Sequence, residues 1–145
     1  MVRLKRILCA VDKSKCSMEA LAYAVHFALK SFAELCLLHV IDTRHFDDFP
    51  PFEFPGPESE TVTRINNELT AKVSEEVRSK IKADVVVTTS VPVRKILSVA
   101  RERDIGMIVM GVHGRTDVAS GVMGSVEVNV LRKADCPVLT VRQSD

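Results

Sequence analysis

The chain has 145 residues, and its 20 lysines and arginines almost balance its 19 aspartates and glutamates, for a net charge of +1. This length fits a single domain, residues 1–145, with a substantial apolar core, and the charge balance gives no support for a nucleic-acid partner, which usually needs a basic patch. No apolar run approaches the roughly 20 residues of a membrane helix, and Asp12 interrupts the N-terminal apolar run too early for a signal peptide. We therefore expect a cytoplasmic protein that binds neither nucleic acid nor membrane.

The first predicted elements are a strand, a helix and a second strand. Residues 6–11, RILCAV, and residues 34–41, ELCLLHVI, are apolar runs without alternation, which is typical of strands buried on both faces. Between them, Ser14 is suited to cap the start of a helix. The apolar side chains of this helix recur at three- and four-residue spacing, at Met18, Leu21, Val25, Leu29 and Phe32.

A single amphipathic helix is predicted between the second and third strands. Its exposed side would carry the charge pairs Glu68–Lys72 and Glu76–Lys80. Its apolar stripe consists of Val62, Ile65, Leu69, Val73, Val77 and Ile81.

Residues 43–58, which precede this helix, form an unusual segment that holds four of the six phenylalanines and four of the six prolines. Loops of this length are uncommon in compact domains and are often functional. The segment could be a loop whose phenylalanines pack at the domain edge, or a flap over a ligand or a partner surface.

The remaining predicted elements continue a regular alternation of strands and helices. Three further strands are predicted at residues 85–89, 106–111 and 137–141. A helix that begins at Pro92 shows an apolar face at Val93, Ile96, Leu97 and Ala100. The last helix is marked by Val126, Val130 and Leu131, and ends at Arg132 and Lys133, which suit the helix dipole. This alternation predicts an α/β fold in which helices cover both faces of a parallel sheet.

The four cysteines are Cys9, Cys16, Cys36 and Cys136, and none belongs to a C-x-x-C pair. Zinc binding and thioredoxin-type chemistry are therefore not expected. Three of the four lie in apolar strand-like runs, where a free cysteine acts as a small buried hydrophobe. Cys16 differs, because it lies at a predicted helix start, where a thiolate would be favoured.

Residues 111–125, GVHGRTDVASGVMGS, hold four of the six glycines and follow a predicted strand directly. In open parallel α/β sheets, ligands bind beyond the carboxyl ends of the strands. Gly124 and Ser125 would open the last helix, whose first N–H groups attract anions. The stretch could cradle a phosphate, or it could be a turn that only connects strand and helix. It contains neither the P-loop pattern nor the dinucleotide-binding glycine pattern.

The glycine spacing, G-x-x-G, nine residues and then G-S, resembles the nucleotide-binding signature of the universal stress protein family in its ATP-binding branch. The rest of the chain resembles the same family. RILCAVDKS is similar to its first strand and turn, LLHVID to its second strand, PVRKILSVARERDIGMIVMGVHGR to its third helix and fourth strand, and CPVLTVR to its fifth strand. The resemblance implies a five-stranded parallel sheet in the order 3-2-1-4-5.

The resemblance also implies that ATP, or AMP or ADP, lies along the strand tips, with or without Mg²⁺ or Mn²⁺. Asp12 would accept a hydrogen bond from the ribose or the adenine, and the Val40 backbone would meet the adenine edge. Met110 would lie under the ribose, and Ser125 would contact the phosphates. The full set of implied nucleotide-binding residues is Ala10, Val11, Asp12, Val40, Met110, Gly111, His113, Gly114, Arg115, Gly124, Ser125 and Val126.

The sequence departs from the family pattern at four positions. Ala10 stands where a proline is common, Ser90 where a glycine is common, Gly106 where an aspartate is common, and Val112 where a hydroxyl residue is common. None of these departures breaks the glycine signature, and those at Ala10 and Val112 concern the purine and phosphate contacts.

Some polar residues have simpler interpretations than ligand binding. Asp12 could only cap the first turn, and His113 could be an exposed loop residue. One group of residues could be drawn as a metal cluster, but its spacing matches no metal signature: His39, Asp42, His45, Asp47 and Asp48. We therefore predict no metal-binding and no catalytic residue.

Four functions remain open at this point: a nucleotide-binding regulatory module, a slow ATP hydrolase or adenylyl-transfer relative, a dimeric scaffold that binds no nucleotide, and a flavodoxin-like electron carrier, which would need a flavin. We favour a nucleotide-dependent switch or scaffold in the stress response, because the glycine stretch offers groups that hold phosphates but no phosphate-loop lysine. The apolar last strand, Pro137 to Val141, predicts a homodimer formed edge to edge. The sequence names no other protein partner.

Overall fold

The computed structural model describes residues 2–42, 56, 59–112 and 124–143. The predicted segment 43–58 therefore lies outside the described residues, apart from Gly56. The elements in chain order are β1 (Arg6–Ala10), α1 (Lys15–Ser31), β2 (Glu34–Asp42), α2 (Glu60–Ala71), α3 (Glu75–Lys80), β3 (Ala83–Ser90), α4 (Pro92–Glu102), β4 (Met107–Val112), α5 (Ser125–Lys133) and β5 (Val138–Arg142).

The strands form one five-stranded parallel sheet in the order β3-β2-β1-β4-β5, which confirms the predicted fold class. The chain moves outward from β1 to β2 and β3, and then crosses back to place β4 on the other side of β1. This reversal beside β1 is the point at which open α/β sheets bind ligands.

Each face of the sheet packs against its own helices, so the strands are buried on both sides. On one face, Ile7 and Cys9 of β1 pack with Ala20, Ala24 and other residues of α1 and α2. On the other face, Leu8 packs with Ile96 of α4 and Val130 of α5. Burial on both faces explains why the strands show no alternation of apolar and polar residues.

The N-terminus of α1 was predicted correctly, but its C-terminus was not. The Ser14 hydroxyl accepts a hydrogen bond from the Ser17 amide at 3.2 Å, as a capping residue does. Phe32, predicted on the apolar face, instead caps the helix with a φ of 54° and has a relative exposure of 86%. The left-handed backbone conformation of Phe32 ends the helical periodicity. The side chain of Phe32 therefore points away from the core.

The single helix predicted between β2 and β3 is wrong, because the segment forms two helices. Ser74 starts a second helix by accepting a hydrogen bond from the Val77 amide at 3.2 Å, and this cap interrupts the periodicity. The Glu76–Lys80 pair forms, with 3.3 Å between its charged atoms. Within the described chain, Glu68 pairs with Lys13 and Arg64 rather than with Lys72.

The last helix buries a narrower face than the sequence predicts. Val130 is fully buried, whereas Leu131 is 43% exposed, because consecutive residues of a helix point about 100° apart.

The strands differ from their predicted bounds by one or two residues, as strand ends commonly do.

The start of α1 lies directly against Gly111 near the end of β4. A β-carbon on Gly111 would come within 2.5 Å of the backbone carbon and oxygen of Cys16 and within 2.7 Å of the Ser17 nitrogen. Two backbones approach this closely only where one residue lacks a side chain. Gly111 therefore serves the packing of α1 on the sheet, whatever it does for a ligand.

We expect Gly111→Ala to lower the free energy of unfolding by about 1–3 kcal/mol, because the added β-carbon would clash with backbone atoms at the start of α1. These backbone atoms cannot move aside as a flexible side chain can. Gly106→Ala is the matched control, since a β-carbon there would meet the flexible side chain of Leu4 at 3.2 Å. Chemical denaturation of both variants measures the difference, and equal losses of stability would contradict this account of Gly111.

Candidate functional site

A pocket with a volume of about 180 Å³ lies at the carboxyl edge of the sheet, where β1 ends between β2 and β4. β1 pairs with β2 only as far as Ala10 and Leu38, whereas β2 continues to Asp42 beside β3. The pocket occupies this notch. Its described lining residues are Ala10, Val11, Asp12, Ser17, Leu38, Val40, Asp42, Pro92, Ile96, Met110, Gly111, Val126 and Glu127.

The walls of the pocket are mainly apolar. Leu38 and Val40 of β2 are two residues apart and therefore share one face of the sheet. Ile96 of α4 and Val126 of α5 close the opposite side, and Met110 of β4 lies beside them. Mainly apolar walls with a few polar groups at the rim are typical of pockets that bind small molecules.

Asp12 lies at the rim, directly after β1, and its carboxylate shapes the turn into α1. Its Oδ1 accepts hydrogen bonds from the Ser14 amide, at 3.0 Å, and from the Ser14 hydroxyl. The Asp12 amide donates to the Ser17 hydroxyl at 3.3 Å. The side chain therefore has the turn-capping role considered from the sequence, and Asp12 also lines the pocket.

Two hydrogen bonds to residues of β2 hold Val11 in place. Its amide donates to the Leu38 carbonyl at 2.9 Å, and its carbonyl accepts a hydrogen bond from Nδ1 of His39 at 2.7 Å. Burial lowers the pKa of His39, and the nearby Lys13 ammonium acts in the same direction, against the opposing effect of this hydrogen bond. The His39 side chain thus fixes the strand end that borders the pocket.

The N-terminus of α5 forms one end of the site. Gly124 is the N-cap residue, with a φ of −62° and no side-chain capping bond, and Ser125 is exposed at the first helical position. The first N–H groups of such a helix carry partial positive charge. A β-carbon on Gly124 would meet Oε2 of Glu127, so this carboxylate lies over the cap of its own helix.

The structure brings most of the predicted site residues together. Seven of them line the pocket: Ala10, Val11, Asp12, Val40, Met110, Gly111 and Val126. Gly124 and Ser125 lie beside it at the start of α5. The predicted residues His113, Gly114 and Arg115 lie outside the described residues.

Six pocket residues were missed by sequence reasoning: Ser17, Leu38, Asp42, Pro92, Ile96 and Glu127. Leu38 and Asp42 could have been found from Val40, because strand residues two apart share a face. Pro92 was recognised only as a helix start. Glu127 carries a weaker signal, an acid in the first turn of a helix that was expected to hold phosphates.

The cysteines occupy structural positions. Burial raises the pKa of Cys9 to about 12, and burial is also the main cause of the raised pKa values of Cys36 and Cys136. Cys16, singled out at the helix start, is buried with its sulfur 3.0 Å from the Ser14 hydroxyl. Among the described residues, no three His, Cys, Asp or Glu side chains are grouped so that they could hold a metal ion.

A second cleft, of about 390 Å³, lies at the opposite, amino-terminal edge of the sheet. It is larger than the first, but its rim carries ion pairs, among them Arg6 with Glu34 at 3.3 Å and Arg103 with Asp84 at 3.7 Å. We place the site in the smaller pocket, because that pocket lies at the reversal of strand order and has an apolar interior.

None of the described helices is long and apolar enough to cross a membrane.

Comparison with known proteins places these features in one family. A sequence profile of the universal stress protein family matches residues 3–142. Universal stress protein MJ0577 of Methanocaldococcus jannaschii is 30% identical, over 99% of this chain and 98% of its own length. Its solved structure, described as a structure-based assignment of biochemical function, superposes with a TM-score of 0.70 at 28% identity, covering 99% of both chains.

Two further solved structures share the fold and contain nucleotides. A universal stress protein in complex with cAMP has a TM-score of 0.68 at 20% identity, covering 99% of this chain and all of its own. The universal stress protein from Archaeoglobus fulgidus in complex with dAMP has a TM-score of 0.65 at 22% identity, covering 97% and 99%. With a family profile matched over almost its whole length, the chain belongs to the universal stress protein family.

Proposed function

We propose that this chain, acting as one domain, binds an adenine nucleotide in the pocket at the carboxyl edge of the sheet and serves as a nucleotide-dependent switch or scaffold in the stress response. The observation that carries the proposal is the notch between β2 and β4, where β1 ends at the reversal of strand order. Relatives of the same fold in complex with cAMP and dAMP support adenine nucleotides as the ligand class.

The adenine ring would lie in the apolar slot between Val40 and Ile96. Beyond Leu38, the edge of β2 that faces β1 extends past the last β1 pair, and there the Val40 backbone would meet the adenine edge. The Asp12 carboxylate would accept a hydrogen bond from the ribose or the adenine amine. Met110 and the backbone of Gly111 would border the ribose.

The phosphates would extend toward the start of α5, where Gly124, Ser125 and Val126 offer backbone N–H groups. Arg115, with His113 and Gly114, would complete this end as the family signature implies. ATP, ADP and AMP all fit the proposal, and Mg²⁺ or Mn²⁺ would accompany the longer phosphate chains. Free thiols at all four cysteines support a reducing compartment such as the cytoplasm.

We expect Asp12→Ala to weaken ATP binding about ten- to a hundredfold, because a hydrogen bond to a charged group contributes about 1.5–3 kcal/mol. Asp12→Asn keeps an oxygen acceptor for the Ser14 turn and removes only the charge, so its loss should be smaller. Asp104→Asn, at the opposite edge of the sheet, is the control and should bind ATP as the wild type does. Titration calorimetry that finds equal ATP affinity for the wild type and Asp12→Ala would contradict the proposed site.

The proposed homodimer would use β5, which is the outer strand of the sheet beside β4. The Ile108 amide donates to the Pro137 carbonyl at 2.9 Å, and the parallel ladder then directs the backbone groups of Leu139 and Val141 toward β4. The amide of Thr140, between them, points away from β4. Another chain could pair with this outward edge.

Thr140→Pro should therefore yield a monomer with an intact fold, because proline removes an outward donor and leaves the pairing with β4 unchanged. Thr140→Val, which retains the amide, should remain a dimer like the wild type. Light scattering with a parallel circular dichroism spectrum measures both properties. A monomeric wild type at high concentration, or a dimeric Thr140→Pro variant, would reject the edge-to-edge dimer.

A further inference from the structure

Glu127 occupies a position at which an anionic ligand would be expected to bind. It is partly buried in the first turn of α5, it lines the pocket, and its Oε2 lies too close to Gly124 to leave room for a β-carbon there. The N–H groups at the start of a helix carry partial positive charge, and their attraction for an anion is strongest within the first turn. The Glu127 carboxylate therefore already uses part of the attraction that a phosphate group would receive from α5.

Two further acidic residues line the same pocket. Asp12 and Asp42 line the same pocket as Glu127, and none of its described lining residues is positively charged. The ammonium of Lys13, the residue after Asp12, lies 3.2 Å from Glu68 of α2. Whatever positive charge Arg115 brings, Glu127 opposes the accumulation of phosphate charge beside α5.

We propose that Glu127 determines how the site discriminates along the phosphate chain, an inference that rests on the proposed function. Its carboxylate favours adenosine and the monophosphate over metal-free ADP and ATP. It also makes ATP binding depend on a divalent cation, because a cation bound to the polyphosphate cancels much of the charge that Glu127 repels. The preferred ligand is thus an adenine compound that carries little net charge at its phosphate end.

The test compares the wild type with Glu127→Gln, which keeps the shape of the side chain and removes its charge. Titration calorimetry with adenosine, AMP and ATP is carried out in a metal chelator and again in excess Mg²⁺. Glu75→Gln is the matched control, since Glu75 is an exposed acid in the first turn of α3 and does not line the pocket. A thermal melt of each variant establishes that the fold is unchanged.

We expect Glu127→Gln to bind metal-free ATP about tenfold more tightly, which corresponds to about 1.4 kcal/mol. AMP should gain less, adenosine should be unchanged, and the gain for ATP should shrink in Mg²⁺ and at high salt. Glu75→Gln should match the wild type throughout.

Unchanged or weaker binding of metal-free ATP by Glu127→Gln would overturn this inference, and so would an equal gain for adenosine. If neither the wild type nor the variant binds adenosine or any of the nucleotides, the proposed function itself fails. Measurable adenosine binding combined with no effect of Glu127→Gln on ATP would remove only the selectivity assigned to Glu127.

Discussion

The backbones of α1 and β4 touch at Gly111, and the geometry of the pocket depends on that contact. With no β-carbon at this position, the Cys16 carbonyl and the Ser17 amide lie against the strand. The chain can then leave β1 at Ala10 and enter α1 through a turn held by Asp12. The early end of β1 leaves the edge of β2 open beyond Leu38, and this notch is the proposed adenine site.

The glycines of the family signature therefore have different physical roles in this chain. Gly111 allows two backbones to approach, and any side chain there would displace the start of α1. Gly124 has an ordinary φ of −62°, so its conformation does not require glycine. A β-carbon at Gly124 would meet the Glu127 carboxylate, which is the end of a flexible side chain. The first glycine preserves the architecture of the pocket, whereas the space that the second leaves at the start of α5 is taken up by the Glu127 carboxylate.

Much of the fold could be predicted because its signals are local. Apolar runs without alternation identified the buried strands, and Ser14 marked the start of α1. The strand order came from the family resemblance, since periodicity alone does not order strands. The errors have local causes: the Ser74 cap divides a continuous apolar stripe, and the left-handed Phe32 ends one. Glu127 was missed because its position over Gly124 becomes visible only once the helix is built.

The central claim, that the carboxyl edge of the sheet binds the adenine ring, is tested most directly by NMR. Amide resonances of ¹⁵N-labelled protein would be followed during titration with adenosine and then with ATP and Mg²⁺. The account predicts that the shifts concentrate at Val11, Val40 and Gly111, with further shifts at Val126 once phosphates are present. Shifts confined to the opposite cleft around Arg6, or no shifts with any ligand, would contradict it.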